Sequence, residues 1–206
     1  MRIGIDFDNT IACYDGVFHA AALERQLIPA DLPSDKTSVR DHLRNLGRDA
    51  DFTELQGYVY GSRMQLVNLF PGFAETLRAL RARGHDVYIV SHKTRTPFAG
   101  PAFDLHAAAR EFLSARAIEG DGAGQIPAQN IFFELTKEEK VGRIAALECN
   151  VFIDDLPEIL AMDGYPAGLR AILFDPDKHY ADGVWRDRKF ECYGSWPQIG
   201  AALQTV

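Results

Sequence analysis

The chain has 206 residues, 47% of them hydrophobic and 25% charged, with a net charge of −7. That length suits one full core, or a core with a small insert, and the acidic balance argues against a protein that coats nucleic acid. No apolar run reaches membrane length and no charged-then-apolar leader opens the chain; Cys13, Cys149 and Cys192 lack CxxC spacing, which fits a reducing cytoplasm without a disulfide or zinc framework.

In chain order, RIGIDF reads as a short buried strand. Residues from about 12 to 70 carry no convincing strand. Helical segments are expected there in DGVFHAAALERQL, SVRDHLRNL and DFTELQGYVYGSRMQLVNLF, separated by polar loops. At Pro71 the texture changes. Pro71 and Gly72 open a helix, Phe73, Leu77 and Leu80 recur at helical spacing, and Gly84 is placed to end it. DVYIVS follows as a continuous apolar run of strand length, as expected for a parallel strand covered on both faces. A Gly- and Pro-rich loop, a helix near DLHAAAREFLSARA, a second Gly-rich loop and the strand IFFE come next. KEEKVGRIAALE is helical, NVFIDD is strand, and LPEILAM and RAILFD repeat the alternation. The pattern from Pro71 to Asp175 predicts a doubly wound parallel α/β sheet.

The polar residues fall at one recurring place. Asp6, Asp8, Ser91, Asp154 and Asp155 each stand at or just beyond the C-terminal end of an expected parallel strand, the edge where open α/β sheets bind ligands. A lone Asp after a strand is usually a turn or cap residue. Three strand ends delivering four carboxylates and a hydroxyl to one rim point instead to a site. Such carboxylates repel one another unless a cation or protons intervene. Oxygen ligands without a His or Cys cluster favour Mg²⁺, and of the six His residues only His92 sits at a strand end. A carboxylate site for Mg²⁺ suggests phosphoryl chemistry, with an Asp able to serve as nucleophile.

These stretches resemble the signatures of the haloacid dehalogenase-like (HAD) superfamily of phosphohydrolases. DFDNT is similar to its first motif, VYIVSH to its second, TKEEKVGRI to its third with a Lys at a helix start, and VFIDDLPE to its acidic fourth. The likeness covers residues 1–12 and 71–175. It implies a Rossmann-like core of 1–12 and 71–206 with a small helical cap, 13–70, inserted after the first strand, and no comparable insertion between Ser91 and Asp154. It further implies that Asp6 attacks phosphorus and forms an aspartyl-phosphate. Asp8 would be the general acid/base, its backbone carbonyl also binding Mg²⁺. Ser91 would hydrogen-bond a phosphoryl oxygen, and Lys140, with Lys137 the alternative, would neutralise charge. Asp6, Asp8 and Asp154 form the implied metal set; Asp155, Asn9, Thr10 and His92 are supporting residues.

A cap implies a small-molecule phosphate ester as substrate, such as a sugar phosphate or nucleotide, rather than a polymer or a membrane. Tyr14, His19, Tyr58, Tyr60 and Arg63 in the insert, and Lys93 after the second motif, are the candidates to contact it. Phe18, Leu23, Leu66 and Val67 are expected to pack inside the insert. The expected activity is Mg²⁺-dependent phosphatase; a phosphomutase of the same fold and a receiver-like signalling module, which shares carboxylates, Ser/Thr and Lys at strand ends, are the alternatives.

Overall fold

The structure, a computed structural model, describes residues 1–180, 185 and 190–204. Its strands are β1 (Arg2–Ile5), β2 (Ala12–Cys13), β3 (Asn68–Leu69), β4 (Asp86–His92), β5 (Ile131–Glu134), β6 (Val151–Asp154), β7 (Arg170–Phe174) and β8 (Glu191–Tyr193). Its helices are α1 (Val17–Glu24), α2 (Lys36–Asn45), α3 (Asp49–Tyr60), α4 (Phe73–Ala82), α5 (Leu105–Ala115), α6 (Lys137–Ala146), α7 (Pro157–Leu160) and α8 (Trp196–Gln204). The chain groups into two units. One holds Met1–Ala12, Leu69–His92 and the chain from Ala117 on; the other holds Cys13–Asn68 and Lys93–Arg116.

The first unit is built on a parallel sheet in the order β5-β4-β1-β6-β7-β8, flanked by helices. β1 lies between β4 and β6, with Ile5 level with Ile89 on one side and Ile153 on the other. Ile3, Ile5, Val87, Ile89, Val151, Phe152, Ile153, Ile172 and Leu173 are all buried, so the strands are apolar on both faces and read as unbroken runs rather than alternations. The chain builds outward from β1 to β4 and β5, then returns to the other side of β1 as β6. That reversal makes the C-terminal rim of β1 a topological switch point, where a crevice opens between diverging connections. β2 and β3 pair in a separate two-stranded ladder.

The second unit is helical. α1, α2 and α3 pack against one another around Phe18, Val39, Leu43, Phe52, Leu55 and Val59, with the Phe18 and Phe52 rings stacked at 5.9 Å. Each such buried ring contributes on the order of 2–3 kcal/mol of transfer free energy.

Three expectations need correction. The segment 93–116 groups with the helical unit, not with the α/β core: α5 packs on α3 and on a short 3-10 turn at Met64–Leu66, and the Arg116 guanidinium donates to the carbonyls of Gln65 and Val67. The helical segment expected through residue 70 ends at Tyr60. A Cβ at Gly61 would stand 2.4 Å from the Phe103 ring, so the ring occupies the space a side chain would need, and the chain breaks there into the 3-10 turn and β3. That break rotates Leu66 off the apolar face of α3 and leaves it 54% exposed, while Val67 and Phe18 are buried and Leu23 is half-buried. Finally, β2, β3, β8 and α8 add to the expected elements. Strands of two or three residues carry too little periodicity to register, and they are set by their partners.

Among the described residues, no helix is long and apolar enough to cross a membrane.

Candidate active site

The site is assembled on the C-terminal rim of β1, β4 and β6. Asp6 follows the last residue of β1, and its backbone N–H still donates to Ile153 O at 2.9 Å, which extends the ladder one residue and sets the carboxylate beside the end of β6. The chain then leaves strand geometry. Phe7 is fully buried with its ring edge-on to Phe133 at 5.7 Å, Asn9 adopts φ 57°, and the N–H groups of Ile11 and Ala12 both donate to Phe7 O at 3.0 Å. Asp8 sits in this tight turn and is half-buried.

Ser91, buried near the end of β4, donates its hydroxyl to Asp6 Oδ1 at 2.8 Å. Lys140 arrives from α6. Thr136 and Glu139 close a capping box at the helix start, with Glu139 N–H donating to Thr136 Oγ1 at 3.0 Å and Thr136 N–H to Glu139 Oε2 at 3.1 Å. The box fixes the first turn, so Lys140 faces inward with Val141 and Ile144. Its ammonium donates to Asp6 Oδ1 and to Asp154 Oδ2, both at 2.6 Å. Asp154, the last residue of β6, also accepts the Leu156 N–H at 3.0 Å through Oδ1. Lys140, Asp6 and Asp154 are 2%, 4% and 0% exposed, so this is a buried ion cluster rather than a surface pair. Lys137, by contrast, lies on the surface, 3.5 Å from Glu158. The geometry therefore puts Lys140, not Lys137, among the carboxylates.

Two buried carboxylates share one ammonium, which leaves one negative charge in excess. Burial pushes the Asp154 carboxyl up to about 7, Lys140 opposing and Asp6 adding to the rise. Burial alone would lower Lys140, but Asp154 and Asp6 hold its ammonium above the usual lysine range. Carboxylate oxygens of Asp6, Asp154 and Asp155 lie within 4.8 Å of one another. This hard, oxygen-only set with excess negative charge fits a divalent cation of the Mg²⁺ kind. Asp155, expected as a supporting residue, belongs to that group.

Asn9 supplies the left-handed turn residue. Thr10 Oγ1 is buried and, among the described residues, has no hydrogen-bond partner. His92 ends β4 and is half-buried. Tyr14, His19, Tyr60, Arg63 and Lys93 all belong to the helical unit. Tyr14 is 1% exposed and packs edge-on to Phe18 and Tyr60. Lys36 donates to the Tyr60 hydroxyl at 2.8 Å, and Lys93, itself buried, holds its Nζ 4.6 Å from the Tyr60 ring centre. Among the described residues, the buried His19 Nε2 has no hydrogen-bond partner. Arg63 Nη2 donates to both carboxylate oxygens of Glu24, at 2.5 and 2.6 Å, and its guanidinium stacks over Tyr58, whose hydroxyl donates to the same Glu24 at 3.0 Å. Arg63 and Glu24 lie 39 apart, so no helical spacing links them.

No protein-family model matches this sequence. No curated protein matches it either. Solved structures do. A HAD family hydrolase from Deinococcus radiodurans R1, determined with bound phosphate and sodium, is 17% identical with a TM-score of 0.60, over 99% of this chain and 95% of that one. A predicted phosphatase from Clostridium acetobutylicum is 12% identical with a TM-score of 0.58, over 100% and 98%. A predicted phosphoglycolate phosphatase from Haemophilus somnus 129PT is 14% identical with a TM-score of 0.56, over 98% and 97%. The chain has the HAD-like α/β fold that these hydrolases share.

Proposed function

We propose that the protein is a phosphatase that hydrolyses a small-molecule phosphomonoester through an aspartyl-phosphate on Asp6. The observation that carries this reading is the buried Ser91–Asp6–Lys140–Asp154 cluster at the switch point of the sheet. Among the described residues, both side-chain hydrogen bonds to Asp6 fall on Oδ1, which leaves Oδ2 as the attacking oxygen. The likeness to hydrolases of the same fold, one of them solved with phosphate, supports it.

In the first step Oδ2 of Asp6 attacks phosphorus and the bond from phosphorus to the leaving oxygen breaks. Asp8 gives its proton to that oxygen. In the second, Asp8 takes a proton from water as the water attacks the phosphoryl group, which releases inorganic phosphate and restores Asp6. Lys140 and the Ser91 hydroxyl offset the charge of the incoming phosphoryl oxygens. Asp6, Asp154 and Asp155 would hold Mg²⁺, with the backbone carbonyl of Asp8 beside them. Bound there, the cation would neutralise phosphoryl charge. Choice among leaving groups is assigned to the helical unit.

A panel of phosphomonoesters assayed for free phosphate, without any acceptor, tests the reading. Release is expected with Mg²⁺ and none after EDTA treatment, and Asp154→Ala should raise the Mg²⁺ concentration required. Full activity in metal-free protein, or no release from any ester until an acceptor is added, would contradict it. In the same assay Asp8→Asn should slow an alkyl phosphate at least about tenfold more than an aryl phosphate, whose oxygen departs with little protonation. Equal losses on both in the first step, read by rapid quench, would remove Asp8 as the acid.

A further inference from the structure

We infer that Trp196 is a positioning residue for Asp8, acting through the hydrogen bond of its indole N–H to the Thr10 carbonyl; the inference rests on the acid/base role proposed for Asp8. The indole Nε1 lies 2.9 Å from Thr10 O, and Trp196 is fully buried. The carbonyl of Thr10 and the N–H of Ile11 belong to one peptide unit. That N–H donates to Phe7 O at 3.0 Å, so the peptide is pinned at both ends, by Trp196 on one side and by the residue between the two aspartates on the other. The next peptide is held likewise: Ala12 N–H donates to Phe7 O at 3.0 Å, and Ile11 O accepts from Phe70 N–H at 2.9 Å. Together these bonds set the turn that carries Asp8 away from the strand.

The indole is itself fixed. Its ring packs against Phe73 at 4.8 Å and Phe174 at 5.8 Å, and Thr76 Oγ1 donates to the Trp196 carbonyl at 3.2 Å. Pro197, the next residue, sits against Gly72, which has φ 82°; a Cβ there would stand 2.8 Å from the proline ring. α8 is thus locked on the start of α4, and the indole reaches the turn as a rigid donor. A buried indole N–H needs some acceptor. Here the acceptor is a main-chain group two residues from the proposed acid, in a turn whose left-handed Asn9 donates its own N–H to Ala12 O at 3.0 Å.

Trp196→Phe keeps an aromatic ring between Phe73 and Phe174 and deletes the donor. Phosphate release from an alkyl ester should fall on the order of tenfold in kcat with KM nearly unchanged, and release from an aryl ester should fall much less. In an Asp8→Asn background the same substitution should cost little more, since the group it positions is gone. A merely structural role would lower both esters alike, in either background, and would overturn the proposal. Amide exchange provides a readout independent of activity. Exchange at Asn9, Ile11 and Ala12 should quicken at least tenfold in Trp196→Phe while the β4 amides stay unchanged; unchanged exchange in the turn would overturn the proposal whatever the kinetics. If the wild-type protein released no phosphate but the turn amides still quickened, the phosphatase reading would fail while the grip of the indole on the turn stood.

Discussion

Asp6→Asn is expected to lower phosphomonoester turnover at least about a thousandfold and to leave the fold intact. The amide oxygen of the variant can still accept from the Ser91 hydroxyl and the Lys140 ammonium, which now meet at Oδ1 of Asp6. The buried donors therefore keep their partner, and the melting temperature should move by only a few degrees. What disappears is the second carboxylate oxygen, because an amide nitrogen does not attack phosphorus. Circular dichroism together with phosphate release separates the two effects. Turnover near the wild-type rate in a well-folded Asp6→Asn protein would exclude Asp6 as the nucleophile.

Lys140→Met should produce the largest loss of stability of any conservative substitution in the site. Lys140 bridges Asp6 and Asp154 at 2.6 Å from each. Removing the ammonium strands two buried carboxylates side by side, and breaking such a pair typically costs about 3–5 kcal/mol. For a chain of this size that corresponds to a drop on the order of 10 °C in melting temperature. The deficit should depend on pH. Burial raises Asp154 to about 7 even with Lys140 present, and without it the carboxyl would rise further. A carboxyl raised above its unfolded value stabilises the fold at low pH and loses that contribution as pH climbs through the folded value. The gap between wild type and Lys140→Met should thus be widest above pH 7 and narrow towards pH 4. Added Mg²⁺ should recover more stability in the variant than in the wild type, since it supplies the missing positive charge. Equal melting temperatures in EDTA at pH 8 would show that the ammonium does not hold the cluster together.

Much of the core was legible because its strands are buried on both faces. RIGI, DVYIVSH, IFFE, VFID and RAILF are continuous apolar runs bounded by polar or Gly-rich loops, and all form strands. The site was legible for a related reason: Asp6 and Asp154 are charged residues ending runs that are otherwise apolar, and burying them without chemistry to perform would be costly. What the sequence withheld depends on contacts between distant segments. Lys137 and Lys140 look alike in TKEEK until the capping box fixes the helix phase and turns only Lys140 inward. Segment 93–116 has an ordinary amphipathic helix, and periodicity says that α5 buries a face without saying against what. Leu66 reads as core by spacing and is exposed because Gly61 ends the helix where Phe103 lies. Arg63 reads as a ligand for an anion, and its Nη2 bond to Glu24 joins residues that no spacing links. Trp196 carries no motif at all; its link to Thr10 joins residues 186 apart and becomes visible only in three dimensions.

The most direct test of the aspartyl-phosphate is to trap it. Wild-type protein mixed with a reactive phosphomonoester and Mg²⁺, quenched within the first turnover and reduced with borohydride, should yield homoserine in place of Asp6, read by peptide mass spectrometry. Protein without substrate and Asp6→Asn with substrate should both give the unreduced peptide. Steady phosphate release with no reduction at Asp6, or reduction at another carboxylate such as Asp154, would contradict the mechanism.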